Sequence, residues 1–247
     1  FIYKKRVLWK FKIYFNSFMI SVIIPTFNEK ENIKKILVML QEIKIISEII
    51  FVDDQSNDGT FIEIKKFQKY YIKGYLRKAK KKDLSKSVLY GVKKSKNKDI
   101  LVMDCDLQHD PKYIIKMWNN YCNNSYDIVI ANRFQNQKII GNLGYFRSLI
   151  SLSTINLINL IFGKKSFDPL SGFFLCKKNI ILQYEKNFFS TGYKILFDII
   201  YNGKKNLRIG HQNIKFNRRK YAESKFNFTI MCLFIKQMIY TIFLVKK

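Results

Sequence analysis

Acidic residues are scarce. The 247 residues hold 18 Asp plus Glu against 45 Lys plus Arg, a formal net charge of +27. Such a chain should meet an anion: nucleic acid, phospholipid or a phosphorylated substrate. A bias toward Lys, Asn, Ile, Phe and Tyr would spread the same charge over every surface whatever the function. The densest stretch, 71–100, sets eleven cations against Asp83 and Asp99, and its plain reading is a solvated face. Three Pro and 10 Gly exclude collagen-like or linker-rich architecture, and 48% apolar residues exclude a disordered chain. Cys105, Cys122, Cys176 and Cys232 form no CxxC pair, which argues against structural zinc or a disulfide scaffold and for a reducing compartment. No run of about 20 uncharged apolar residues precedes the last 25 positions, which excludes a polytopic membrane protein. The GxGxxG and GxxxxGK[ST] loops are absent too. Hydride-transfer cofactors and P-loop hydrolysis thus lose their usual cradle, and a metal plus arginines must neutralise any diphosphate.

What is present alternates. Short apolar runs at 20–25, 49–52, 99–103 and 126–131 read as buried parallel strands. Between them Ile33, Ile36, Leu37 and Leu40, then Phe61, Ile64 and Phe67, then Tyr113, Met117, Trp118 and Tyr121 recur at helical spacing. Asp58 or Thr60 can cap the second helix, and Pro111 starts the third. Strand and helix alternating at these lengths predict one α/β domain with a mostly parallel, Rossmann-like sheet covered on both faces. No repeat and no Gly- or Ser-rich linker divides it.

In such sheets ligands bind beyond the carboxyl ends of the strands, and the acidic clusters sit there. Asp104 and Asp106, two apart as the chain leaves a strand, point to one side and repel unless a cation lies between them. Their hard oxygens, with Gln108 in reach, suit Mg²⁺ or Mn²⁺. Asp53 and Asp54 close another strand. An acid there can accept from a nucleobase or ribose or serve the turn itself, and the two residues can divide those jobs.

Residues 21–29 (SVIIPTFNE), 52–60 (VDDQSNDGT), 104–111 (DCDLQHDP) and 168–174 (DPLSGFF) together resemble glycosyltransferase family 2, and more narrowly its dolichol-phosphate mannosyltransferase (polyprenyl-phosphate sugar synthase) group. The likeness runs from about Ile20 to Lys225. It implies a GT-A fold, a nucleotide-sugar donor and a divalent metal. By position in the motifs, Pro25, Phe27 and Glu29 would line the nucleotide and Val52 and Asp54 would contact the base. Asp104 and Asp106 would hold Mg²⁺ or Mn²⁺ with Gln108 beside them, and Cys105 would touch the nucleotide through its backbone. Arg133 and Arg147 match two phosphate-binding arginines, and Arg219 and Lys225 match a late basic string (RKYAESK). Ala222 stands where the family usually has Gly, Phe27 replaces the commoner Tyr, and residues 82–84 (KDL) replace a frequent Gly-Leu-Gly.

The resemblance implies inverting transfer of a hexosyl group, mannosyl from GDP-mannose first of all, to a polyprenyl or dolichyl monophosphate. That acceptor is already anionic near neutral pH, so no strong general base is needed. His109 then reads as a loop hydrogen-bonder, and Asp168 as a group orienting an Arg or the backbone. The lipid must reach the site. Residues 149–162 suit an amphipathic helix at a membrane surface, and 226–245, interrupted by Lys236 and Gln237, favours lying in the interface over spanning. The expected organisation is a basic extension over 1–18, read from upstream or acting as a membrane-surface arm, a GT-A domain over 19–225, and a membrane-associating segment over 226–247. The location follows: cytoplasmic, peripheral on the cytoplasmic face of a membrane, with room for an anchoring subunit. Two rivals stand beside this reading. One is the same fold using a UDP-sugar with undecaprenyl phosphate or a sugar hydroxyl. The other is a basic nucleic-acid-binding protein, disfavoured because acidic strand ends repel phosphate backbones.

Overall fold

The computed structural model describes residues 19–135, 138–139, 145–217 and 228–245. The basic extension 1–18 lies outside them. β1 (Ile20–Thr26) is buried at every position, as a central parallel strand requires. Along the chain follow β2 (Ile46–Asp53), β3 (Ile72–Leu76), β4 (Asp99–Val102), β5 (Ile128–Asn132), the two-residue strands β6 (Phe134–Gln135) and β7 (Lys138–Ile139), β8 (Phe174–Lys177) and β9 (Ile209–Asn213). Seven of them form one sheet in the order β3-β2-β1-β4-β8-β5-β9. All pairings in it are parallel except those of β8, which runs antiparallel to both β4 and β5. The 168–174 motif leads straight into this reversed strand, which simple strand–helix alternation does not provide.

Helices cover both faces. α1 (Lys30–Gln41), α2 (Thr60–Lys66) and α4 (Tyr113–Asn123) lie on one side, where Ile33, Ile36, Leu37, Leu40, Ile64, Met117, Trp118 and Tyr121 pack on β1, β2 and β4. α2 follows Gly59 at φ +87°, and Asp58 accepts from the Thr60 amide at 2.9 Å. α4 begins two residues after Pro111. On the other side are α3 (Leu84–Lys94), α5 (Tyr145–Phe162), α6 (Lys178–Tyr184), α7 (Ile195–Tyr201) and α8 (Phe228–Val245). α7 is buried along its whole length. Its Phe197 meets Phe162 of α5 and Phe234 of α8 edge-on, so the two long helices flank it.

α8 is two-sided. Gln237, Met238 and Thr241 are buried, while Met231, Ile235, Ile239 and Phe243, each four residues from the last, are exposed. α5 likewise exposes Leu149, Ile150, Leu157, Leu160 and Ile161. Among the described residues no helix is long and apolar enough to cross a membrane.

Candidate active site

Because β1, β2, β4 and β5 run the same way, their carboxyl ends open on one edge, and the antiparallel β8 starts there. That edge gathers the four motifs.

On the β1–β2 side the polar groups answer one another. Glu29 is buried, accepts from the Asn32 amide group at 2.7 Å, and its own N–H donates to Thr60. Asp53 does turn work: it accepts from the Ser56 amide and hydroxyl at 3.0 and 2.5 Å and from Thr26. Asp54 accepts from Arg77 at 2.5 Å and from the Asp83 amide. Burial, only partly offset by these bonds, pushes its carboxyl above the usual range. Val52 and Pro25 lie in the buried strands beneath, and Phe27 carries the Lys82 ammonium 4.0 Å over its ring.

Asp83 does more than its place in an atypical string promises. It caps α3 by accepting from the Lys86 amide, and its other oxygen accepts from the Gly192 amide at 2.7 Å. The pocket side of β2 is thereby tied to the segment entering α7. The spacing of Asp83 before an amphipathic run is an N-cap signal. Arg77, by contrast, is hidden among ten neighbouring cations in the 71–100 stretch.

On the β4–β5 side the chain places charges across long sequence gaps. Asp106 and Cys105 are buried, whereas the Asp104 side chain keeps about a third of its surface open. Leu107, at φ +61°, turns the loop so that the Gln108 amide donates to Asp106 at 3.1 Å. The Gln108 side-chain amide donates to the Asn217 carbonyl. Gly172 faces Asp104: a Cβ there would come within 2.9 Å of the carboxylate carbon, so the missing side chain makes the room this carboxylate occupies. Arg133, leaving β5, donates from Nε and Nη2 to the two oxygens of Asp168 at 2.7 and 2.8 Å. Both partners are buried, Asp168 completely, and the fork-to-carboxylate geometry is the strong one. His211 on β9 holds the same loop, accepting the Phe167 amide on Nε2 at 3.2 Å. Burial holds its pKa down at about 4, which keeps that nitrogen an acceptor.

Lys194, at the start of α7, also reaches this edge, donating to the Leu170 carbonyl at 3.1 Å. Sequence reasoning missed it. The available signal was a lone cation directly before the apolar run Ile195, Leu196 and Phe197. His109 departs from expectation. Its ring lies between Phe173 and Phe216, with centroids 5.2 and 5.3 Å away, and among the described residues neither nitrogen has a hydrogen-bond partner. The two phenyl rings desolvate it, which lowers its pKa to about 4. It is a neutral packing group 3.7 Å from Asp104, not a loop hydrogen-bonder. The Arg147 side chain, Arg219, Ala222 and Lys225 lie outside the described residues.

The donor set suits a hard dication. Two carboxylates stand at one strand end with space cleared around one of them. Among the described residues no cluster of three or more His, Cys, Asp or Glu forms a closed metal cage, so the remaining positions would fall to substrate oxygens and water, as Mg²⁺ and Mn²⁺ accept.

Residues 21–187 match the family model described as glycosyl transferase family 2. The chain belongs to that family. Among its relatives, the dolichol-phosphate mannosyltransferase of Pyrococcus furiosus is 34% identical over 210 residues, covering 83% of this chain and 58% of its own. The chain thus spans less than two thirds of that protein. The dolichol-phosphate mannosyltransferase of Saccharomyces cerevisiae is 29% identical over 231 residues, covering 88% and 85%. A solved glucosyl-3-phosphoglycerate synthase of Mycobacterium tuberculosis, in complex with Mn²⁺, UDP-glucose and phosphoglyceric acid, superposes with a TM-score of 0.66 at 16% identity, over 91% of this chain and 78% of that one. That likeness shows the GT-A fold of this family 2 member.

Proposed function

We propose that the protein transfers a mannosyl group from GDP-mannose to a polyprenyl or dolichyl monophosphate, with inversion. The observation that carries the reading is the juxtaposition of Asp104, given room by Gly172, with the buried Arg133–Asp168 pair at the strand edge. The names of the relatives point to mannose and dolichol phosphate.

Asp104 and Asp106 would hold Mg²⁺ or Mn²⁺, with Gln108 beside them; the ion would neutralise the departing diphosphate. Pro25, Phe27, Glu29, Val52, Asp54 and the Cys105 backbone would form the nucleotide wall. Arg77 and the Asp83 amide, each bonded to one Asp54 oxygen, would hold that carboxylate in place for the base. Asp168 orients Arg133 by taking both of its forked donors, which fixes the guanidinium before substrate arrives. Arg133 with Arg147, Arg219 and Lys225 would offset repulsion between acceptor phosphate and donor diphosphate. The acceptor oxygen attacks as an anion, so no residue need remove a proton.

The exposed apolar rows of α5 and α8 would lie on the cytoplasmic face of a membrane and pass the lipid phosphate to this edge, with residues 226–247 as the membrane-associating part beside the catalytic domain. Surrounding lysines favour anionic lipid. The deciding experiment incubates the protein with Mn²⁺ or Mg²⁺, polyprenyl phosphate and radiolabelled GDP-mannose, UDP-glucose and UDP-N-acetylglucosamine in turn. Organic-extractable label from GDP-mannose is expected, abolished by EDTA. No label from any donor refutes the reading, and label from a UDP-sugar alone moves it to the rival donor.

A further inference from the structure

We propose that the Lys194 ammonium contacts substrate phosphate oxygens, and that the C-terminal helix holds it in position to do so. The inference rests on the transferase reading of the same edge. Its basis is where Lys194 stands and what surrounds it. α7 is buried at all seven positions, so its first turn cannot slide. Gly192, at φ +100°, turns the entering segment. Its amide donates to Asp83, and its carbonyl accepts from the Ser85 amide at 2.9 Å. Gln237, buried on α8, donates its side-chain amide to the Lys194 carbonyl at 3.1 Å. Thr241 next to it bonds Asn202, and Asn202 bonds Asp198 of α7. The backbone of Lys194 is therefore fixed from α3 and from α8 at once.

Its side chain is fixed less completely. An ammonium has three donors, and the Leu170 carbonyl takes one. Among the described residues no carboxylate lies within ion-pair distance of it, and the acids whose charge it feels, Asp104 and Asp168, belong to the site. Arg133 is there too, and Asp168 is already committed to it. Burial first, and Arg133 second, depress the lysine to about 8. A desolvated cation without an acid partner costs the fold stability. An anion that arrives with substrate returns that cost, and both substrates in the proposed reaction bring phosphate.

The test compares wild type with Lys194→Met and Lys194→Arg. Calorimetry gives Kd for GDP in Mn²⁺, transfer assays give KM for polyprenyl phosphate, and thermal unfolding confirms the fold. Lys194→Met is expected to raise one of the two constants at least tenfold, and Lys194→Arg to recover most of it. A raised Kd assigns the donor diphosphate; a raised KM alone assigns the acceptor phosphate. If the Met variant does not fold, Lys194→Gln, which keeps a donor for Leu170, replaces it. Changes below threefold in both constants overturn the proposal. If wild type transfers no sugar, the functional reading fails while the Kd arm still judges Lys194; if wild type binds no nucleotide either, the inference falls as well.

Discussion

The two edges of the sheet use acids in opposite ways. At the rear edge, where β2 and β5 begin, each acid meets lysine. Glu48 accepts from Lys73 at 2.6 Å, from Ser21 and from the Lys96 amide, and these bonds hold its carboxyl below the usual range in spite of burial. Asp127 accepts from Lys177, Lys204 and the Arg208 amide and is held down at about 2. Asp99 is the exception: its partner is the neutral Tyr121 hydroxyl, and burial raises it. At the front edge burial wins instead, and Asp54 and Asp83 are both raised. Glu48 and Asp127 therefore stabilise the fold in their charged form, whereas the charges of Asp54 and Asp83 cost it stability.

The largest break in this contrast should come from the front pair held by two parallel bonds, Arg133 with Asp168. Arg133→Met leaves Asp168 buried without its forked partner, which should cost about 3–5 kcal/mol in urea unfolding. Asp53→Asn, in a turn that retains other local donors, should cost about 1 kcal/mol. Equal losses would mean that the Arg133–Asp168 pair is no more structural than a turn contact.

Next is Gly172→Ala. The added methyl would overlap the Asp104 carboxylate and force it aside, with no buried charge lost. Transfer should fall roughly 100-fold, about 2.7 kcal/mol, and Mn²⁺ binding should weaken, while the melting temperature shifts by only a few degrees. Unchanged transfer would show that Asp104 can move without consequence and would weaken its assignment to the metal.

These two cases also mark what a sequence can disclose. β1, β2, β4 and β5, the helices α1, α2 and α4 and the acids at the strand ends follow from local periodicity and from Asp-rich turns, because each signal sits within about ten residues. The Arg133–Asp168 clasp spans 35 residues, and the Asp83–Gly192 bond spans 109. Spacing says nothing of such pairs until the topology is known. The antiparallel β8 that brings Gly172 to Asp104 was invisible for the same reason. So was the burial of His109, whose neighbours Phe173 and Phe216 lie far along the chain. Lys194 and Arg77 were lost in a background of 45 cations, where charge alone carries no information and only burial singles a residue out.

The smallest effect sharpens the contrast through pH. Asp127 has a folded pKa of about 2 against an ordinary value near 3.8. A depressed acid binds fewer protons folded than unfolded, so its stabilisation is complete above about pH 4 and fades as pH falls toward 2. Asp54 and Asp83 are raised, so their sign is reversed: protonation on acidification relieves their burial, and they resist the loss. Asp127→Asn should therefore cost about 1–2 kcal/mol at pH 7, its lysine partners being half-exposed, and almost nothing at pH 2. Asp83→Asn should show the opposite slope, losing least at neutral pH, where the buried charge it removes is most costly. Urea midpoints for both variants across pH 2–7 decide the matter. Parallel curves would mean that the two edges do not differ in how they hold their acids.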